Sequence, residues 1–169
     1  MRAVKTCLFA VLVCAAALAA AQDEGHVANM TKLKLGNVDG VPKCMTLAPV
    51  HGDPFKGAAV IAIKMTSGCT VPWHWHTATE NLIFVSGKGK AEMKGSPAAM
   101  LGPGDYVYLP GKMQHEFTCV VSCTFYDSID GAFDIHYVDK DGKEIPADQA
   151  LKSGATKPAM KKSTESKKK

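Results

Sequence analysis

The sequence predicts an all-β protein, a single antiparallel barrel or sandwich, and three observations carry that prediction. Short apolar runs recur at close, regular spacing, and Gly, Pro, Asp and Ser fill the breaks between them. No stretch after Gln22 carries the apolar period of a helix of several turns. Many short strands and no internal repeat, in a chain of 169 residues, fit one barrel rather than two domains.

From the N-terminus, the first element reads as a secretory signal peptide over residues 1–21. Arg2 and Lys5 precede an uncharged apolar run at 6–18 and the small residues Ala19, Ala20 and Ala21, which set a cleavage point before Gln22. The run is short for a bilayer span and polar Gln22, Asp23 and Glu24 follow it. The expected location is therefore secreted or periplasmic, with no membrane span. Removal of the signal takes away Arg2, the one arginine of the chain.

Residues 22–42 form an N-terminal segment, and the strands should occupy 43–152. The runs lie at 44–50, 58–65, 71–76, 81–85, 88–93, 106–109, 115–119, 123–127 and 133–138, separated by turn sequences such as GDPFKG, SGKG, KGSP, GPGD and PGK. In GAAVIAIKM, Ala59, Ile61, Ile63 and Met65 share one face, and Val60, Ala62 and Lys64 the other. NLIFV is apolar on both faces and should be an interior strand. Residues 153–169 read as a Lys-rich disordered tail.

Charge is unevenly placed along these elements. Residues 22–152 carry 12 Lys against 15 Asp and Glu, a net of −3, while residues 153–169 carry 6 Lys against Glu165, a net of +5. An acidic body with no basic patch interleaved with aromatics excludes nucleic acid as the expected partner. A small-molecule ligand is expected instead, with a homodimer as the oligomeric option.

The chemistry concentrates in GCTVPWHWHTATENLIFVSG, residues 68–87. Side chains two apart on a strand share a face, so His74 and His76 can grip one ion while Trp73 and Trp75 point away. After the turn Thr77, Ala78, Thr79, the Glu80 carboxylate can fold back to the same side, and His115 is a fourth candidate. Three imidazoles and one carboxylate suit a single divalent transition metal, Fe, Mn, Ni, Cu or Zn, with coordination positions left open. Without thiolates the set does not look like a closed structural zinc site. The competing reading makes these histidines packed or exposed strand residues around a tryptophan core.

The frame around them decides between the two. Gly68, His74-x-His76, Glu80 and Gly87, at spacings of five, three and six residues, resemble the first signature motif of the cupin superfamily. Gly104, Pro110 and His115 resemble the second. The spacing between the motifs is short, as in small microbial cupins, and HGDP at 51–54 with the closing GAFDIHYVDKDG resembles secreted bacterial single-domain cupins. The resemblance implies a jelly-roll β-barrel with His74, His76, Glu80 and His115 as metal ligands at the base of its pocket, and Glu80 also as the catalytic proton acceptor. Strand parity then turns Phe117, Leu82 and Phe84 inward with the ligands and offers the Ala59, Ile61, Ile63, Met65 face as the opposing wall, and Tyr106 or Tyr108 could supply a hydroxyl to a ligating imidazole's other nitrogen. His136 is a weaker candidate for that supporting role. Lys112 and Cys119 depart from the motif, where relatives carry glycine and asparagine.

Four cysteines remain after the signal: Cys44, Cys69, Cys119 and Cys123. A fully extended strand would hold Cys119 and Cys123 out of disulfide reach, whereas a hairpin through Val120, Val121 and Ser122 would pair them. The cupin layout implies that hairpin.

Two functions are then expected. The first is a metal-dependent oxidoreductase, a dioxygenase acting on a neutral or phenolic small molecule; the alternative is a non-catalytic metal or small-ligand binding protein. Oxalate and amino-acid substrates are disfavoured, because their carboxylates are usually gripped by a bidentate arginine.

Overall fold

The computed structural model describes residues 24–154, so the segment read as a signal peptide and nearly all of the Lys-rich tail lie outside the described residues. The chain forms β1 (Met45–His51), β2 (Ala59–Met65), β3 (Thr70–Trp75), β4 (Glu80–Met93), β5 (Ala99–Leu101), β6 (Tyr106–Leu109), β7 (His115–Ile129), β8 (His136–Tyr137) and one helix, α1 (Ala147–Gly154). All strand pairs are antiparallel. The order β1-β2-β7-β3-β8 makes one path, and β4 joins β5, β6 and β7 off it. The all-β antiparallel fold is as expected, and its jelly-roll character rests on β7, which is shared by three neighbours.

Two strands are longer than the sequence suggested. SGKG does not turn the chain; β4 runs through it, and the register against β7 slips at Phe84/Ser86, Ser86/Lys88 and Lys88/Gly89. Gly87 takes φ 85°, and a Cβ there would collide with the Ser122 carbonyl and the Cys123 backbone. Only glycine allows this bulged crossing.

The hairpin expected at Val120–Ser122 is likewise absent, because β7 continues from His115 to Ile129. Local bulging against β4 shortens the chain enough to bring the Cys119 and Cys123 Cα atoms to 5.7 Å, and the two are disulfide-bonded. The bridge is present, but a bulge within one strand makes it. A second bridge joins Cys44, before β1, to Cys69, before β3, also with Cα atoms 5.7 Å apart.

Alternation along the strands builds the core. Leu82 and Phe84 point inward from β4 with Phe117 and Phe125 from β7 and Ile61 and Ile63 from β2, all buried. NLIFV is interior by pairing, between β6 and β7, yet only one of its faces is covered: Ile83 and Val85 are 47% and 43% exposed. The two-turn helix α1 carried no clear sequence signal beyond Pro146 at its start; it buries Ala150 and ends at Gly154, inside the segment assigned to the tail.

Candidate metal centre

The ends of three strands converge on the site. His74 lies on β3 directly opposite His115, the first residue of β7, and His76 follows the end of β3. Glu80 opens β4. Each of the three histidines offers a ring nitrogen within 4.8 Å of those of the other two, and all three are buried. Glu80 reaches between them, with Oε1 3.3 Å from His76 Nε2 and Oε2 3.4 Å from His115 Nε2. The four residues that the motif singled out are thus brought together.

What orients the rings is main chain. His74 Nδ1 is 2.6 Å from the Pro72 carbonyl, His115 Nδ1 is 2.9 Å from the Met113 carbonyl, and His76 Nδ1 pairs with the Asp134 carbonyl. A carbonyl only accepts, so each Nδ1 carries the hydrogen and each Nε2 keeps its lone pair for a ligand bond.

Electrostatics prepare the same state. Burial first, then the nearby His115 and His76, holds His74 well below the usual imidazole range. Burial followed by His115 pulls His76 down to about 4, and burial lowers His115. The imidazoles are neutral near pH 7, as metal ligation requires. Glu80 is pushed well up by burial and by its neighbour Asp127, and burial lifts Asp127 to about 7.

Asp127 was not singled out by the sequence. Its signal is alternation: Phe125, Asp127 and Ile129 all face inward on β7, and a carboxyl among apolar inward positions is out of pattern. It hydrogen-bonds Glu80 and receives the Asn81 backbone N–H, while its Oδ1 is buried with no partner.

The pocket above the histidines has a volume of about 50 Å³, room for roughly three to five waters. Ile61, Ile63, Leu82 and Phe117 line it as expected, joined by Phe125 and Phe133. Phe84, Ala59 and Met65 are core residues that do not line it. No lysine is among the lining residues.

Other expectations are corrected. Tyr106 and Tyr108 point outward, each 57% exposed, and the Tyr106 hydroxyl bonds Asn81 instead of a ligand. The phenol beside the site is Tyr137, its ring 5.9 Å from His74 and its hydroxyl donating to the Gly40 carbonyl. His136 stacks on Trp75 and pairs with Asp134 and Glu144, so it touches no ligand ring. At the motif departure, Lys112 takes φ 66° and its N–H donates to the His76 carbonyl at 2.7 Å. Gly111 stands where a Cβ would press on the Thr77 carbonyl.

Comparison with known proteins bears on the domain that carries this cluster. Residues 63–127 match the Cupin_2 family model, a cupin domain, and that segment holds all four site residues. The match places a cupin domain over the segment that carries both motifs. It is 35% identical over 67 residues to dimethylsulfoniopropionate lyase DddQ of Ruegeria pomeroyi, covering 38% of this chain and a third (33%) of that enzyme. In fold it is similar to the polyketide cyclase RemF from Streptomyces resistomycificus, with TM-score 0.58 and 16% identity over 76% of this chain and 99% of that one. It is also similar to KdgF from Halomonas sp., with TM-score 0.55 and 18% identity over 66% and 97% of the two chains.

Proposed function

We propose that this chain is an exported cupin that binds one divalent transition metal through His74, His76, His115 and Glu80, and that it is a metal-dependent enzyme acting on a small neutral ligand. The observation that carries the reading is the set of three Nε2 lone pairs, fixed by three carbonyls, beside a carboxylate in a mainly apolar pocket. When bound, the metal would supply open coordination positions that polarise the ligand's oxygen or take up dioxygen. Around it, the chain's own residues divide the work. The phenylalanines exclude water, and Glu80, backed by Asp127, stands where it can take a proton from the ligand.

The absence of lysine from the lining favours a neutral or singly deprotonated ligand over a dicarboxylate, whose second charge would be buried without a partner. A relative that is a lyase and a similar fold that is a cyclase fit proton transfer as the first event, and a dioxygenase could share that event. Two disulfides fit an oxidising compartment and so support export.

The test is metal analysis of protein expressed in the periplasm, followed by a screen of small enolisable and phenolic compounds with and without dioxygen. Turnover lost in Glu80→Ala supports the enzyme. Stoichiometric metal with no turnover of any compound assigns the protein to the non-catalytic binders, and absence of metal overturns the proposal.

A further inference from the structure

The pocket holds one polar atom that the metal site does not use. Asp127 Oδ1 is fully buried and without a hydrogen-bond partner among the described residues, and Asp127 lines the pocket. Leaving such an atom unpaired costs roughly 1–3 kcal/mol, so its retention asks for an occupant of the pocket that satisfies it. Everything else around it is accounted for. Asn81 N–H and Glu80 hold the rest of the carboxyl in place, and the facing walls are Ile61, Leu82, Phe117 and Phe125.

We infer that Asp127 Oδ1 is the specificity-determining acceptor of this pocket, taking a hydrogen bond from a hydroxyl that the ligand carries next to its metal-binding oxygen. The adjacency follows from contact. Asp127 pairs with Glu80, and the Glu80 oxygens lie 3.3 and 3.4 Å from the Nε2 atoms of His76 and His115, so the acceptor stands one functional group away from the centre. A hydroxyl fits better than an ammonium group, because an ammonium would be a second cation, stripped of water, beside a divalent ion. The ligand class is therefore a small molecule with neighbouring oxygens, an α-hydroxycarbonyl, enediol or catechol. This inference rests on the metal centre proposed above.

Cobalt(II)-loaded protein separates the two, since the visible spectrum of the ion reports metal binding before any ligand is added. Catechol and 2-fluorophenol serve as probes: they share the ring and one phenolic oxygen, and fluorine replaces the second hydroxyl at similar size without its hydrogen. Wild-type protein should prefer catechol. Asp127→Leu should reduce that preference about tenfold while changing 2-fluorophenol binding little, and Asp127→Asn, whose amide oxygen still accepts, should keep most of it. Where Asp127→Leu does not fold, Asp127→Ala takes its place. Equal binding of the two probes by wild-type protein, or an unchanged preference in the variant that lacks an acceptor, would overturn the assignment. Failure of wild-type protein to take up cobalt would instead sink the metal reading itself.

Discussion

Glu80 and Asp127 meet inside the barrel as diagonal neighbours of the β4–β7 ladder: Glu80 stands opposite Ile129 and Asp127 opposite Leu82, and the two inward carboxyls hydrogen-bond each other. Such a contact needs a proton between them, and burial supplies the reason for keeping it.

The pair makes metal-free stability depend on pH. Burial raises Asp127 from its ordinary 3.8 to about 7, so the folded state holds its proton more tightly than the unfolded state. That stabilisation is complete below pH ~4 and is lost as pH rises to about 7. Asp127→Asn removes the titration. The metal-free variant should match wild-type protein near pH 4 and exceed it at pH 7.5 by on the order of 4 kcal/mol. The buried imidazoles drift the opposite way, losing stability as pH falls below 6.5, but they are common to both proteins. Urea denaturation at the two pH values checks this, and a gap that does not widen with pH refutes it.

Replacing His74 and His76 together by alanine should abolish stoichiometric metal while leaving the circular dichroism of the barrel intact. The two side chains sit at strand ends around a pocket, and the ring contacts that join Phe84, Phe117 and Phe125 involve neither of them. Anaerobic reconstitution with Fe(II), Mn(II) and Zn(II) in turn gives the measurement. Retention of one equivalent by the double variant would remove these histidines from the site.

The disulfides should differ in worth. Cys44–Cys69 spans 25 residues and Cys119–Cys123 spans 4. Chain-entropy arguments give about 3.5 kcal/mol for the first and about 2 kcal/mol for the second. Paired Cys→Ala variants, compared by thermal and chemical unfolding, should rank in that order, with the fold surviving loss of the shorter bridge. The reverse ranking would mean that the bulge in β7 depends on its bridge.

Lys112 occupies a left-handed backbone conformation that costs a side-chain-bearing residue ~1–2 kcal/mol. Lys112→Gly relieves that strain at an entropic cost of ~0.5–1 kcal/mol, so the variant should be more stable by about 0.5–1 kcal/mol. Its backbone N–H still holds the His76 carbonyl, and metal content should not change. A destabilised variant would show that the lysine side chain matters to the turn.

Much of this was legible in the chain because two periods and two motifs are local. Alternation placed Ile61, Ile63, Leu82 and Phe117 inward, and fixed spacing gave the four site residues. What escaped was non-local. The bulges that carry β4 and β7 through SGKG and VVS arise from strand crossing, and local turn residues gave the opposite expectation. Cys44 and Cys69 are joined by the fold's return, not by their spacing. Asp127 needed the strand's true extent before its parity could be counted, and the Asp134 carbonyl needed a contact across 58 residues.

That the rings are steered by the carbonyls of Pro72, Met113 and Asp134 has a genetic consequence. Every amino acid brings the same carbonyl, so no codon change can delete an orienting acceptor as it could a carboxylate or an amide. Neighbouring side chains are free to vary, and with them the shape and polarity of the chamber, while the posture of the three imidazoles is inherited with the backbone. A randomised library of pocket walls should therefore yield many members that still capture metal and differ in what they hold beside it.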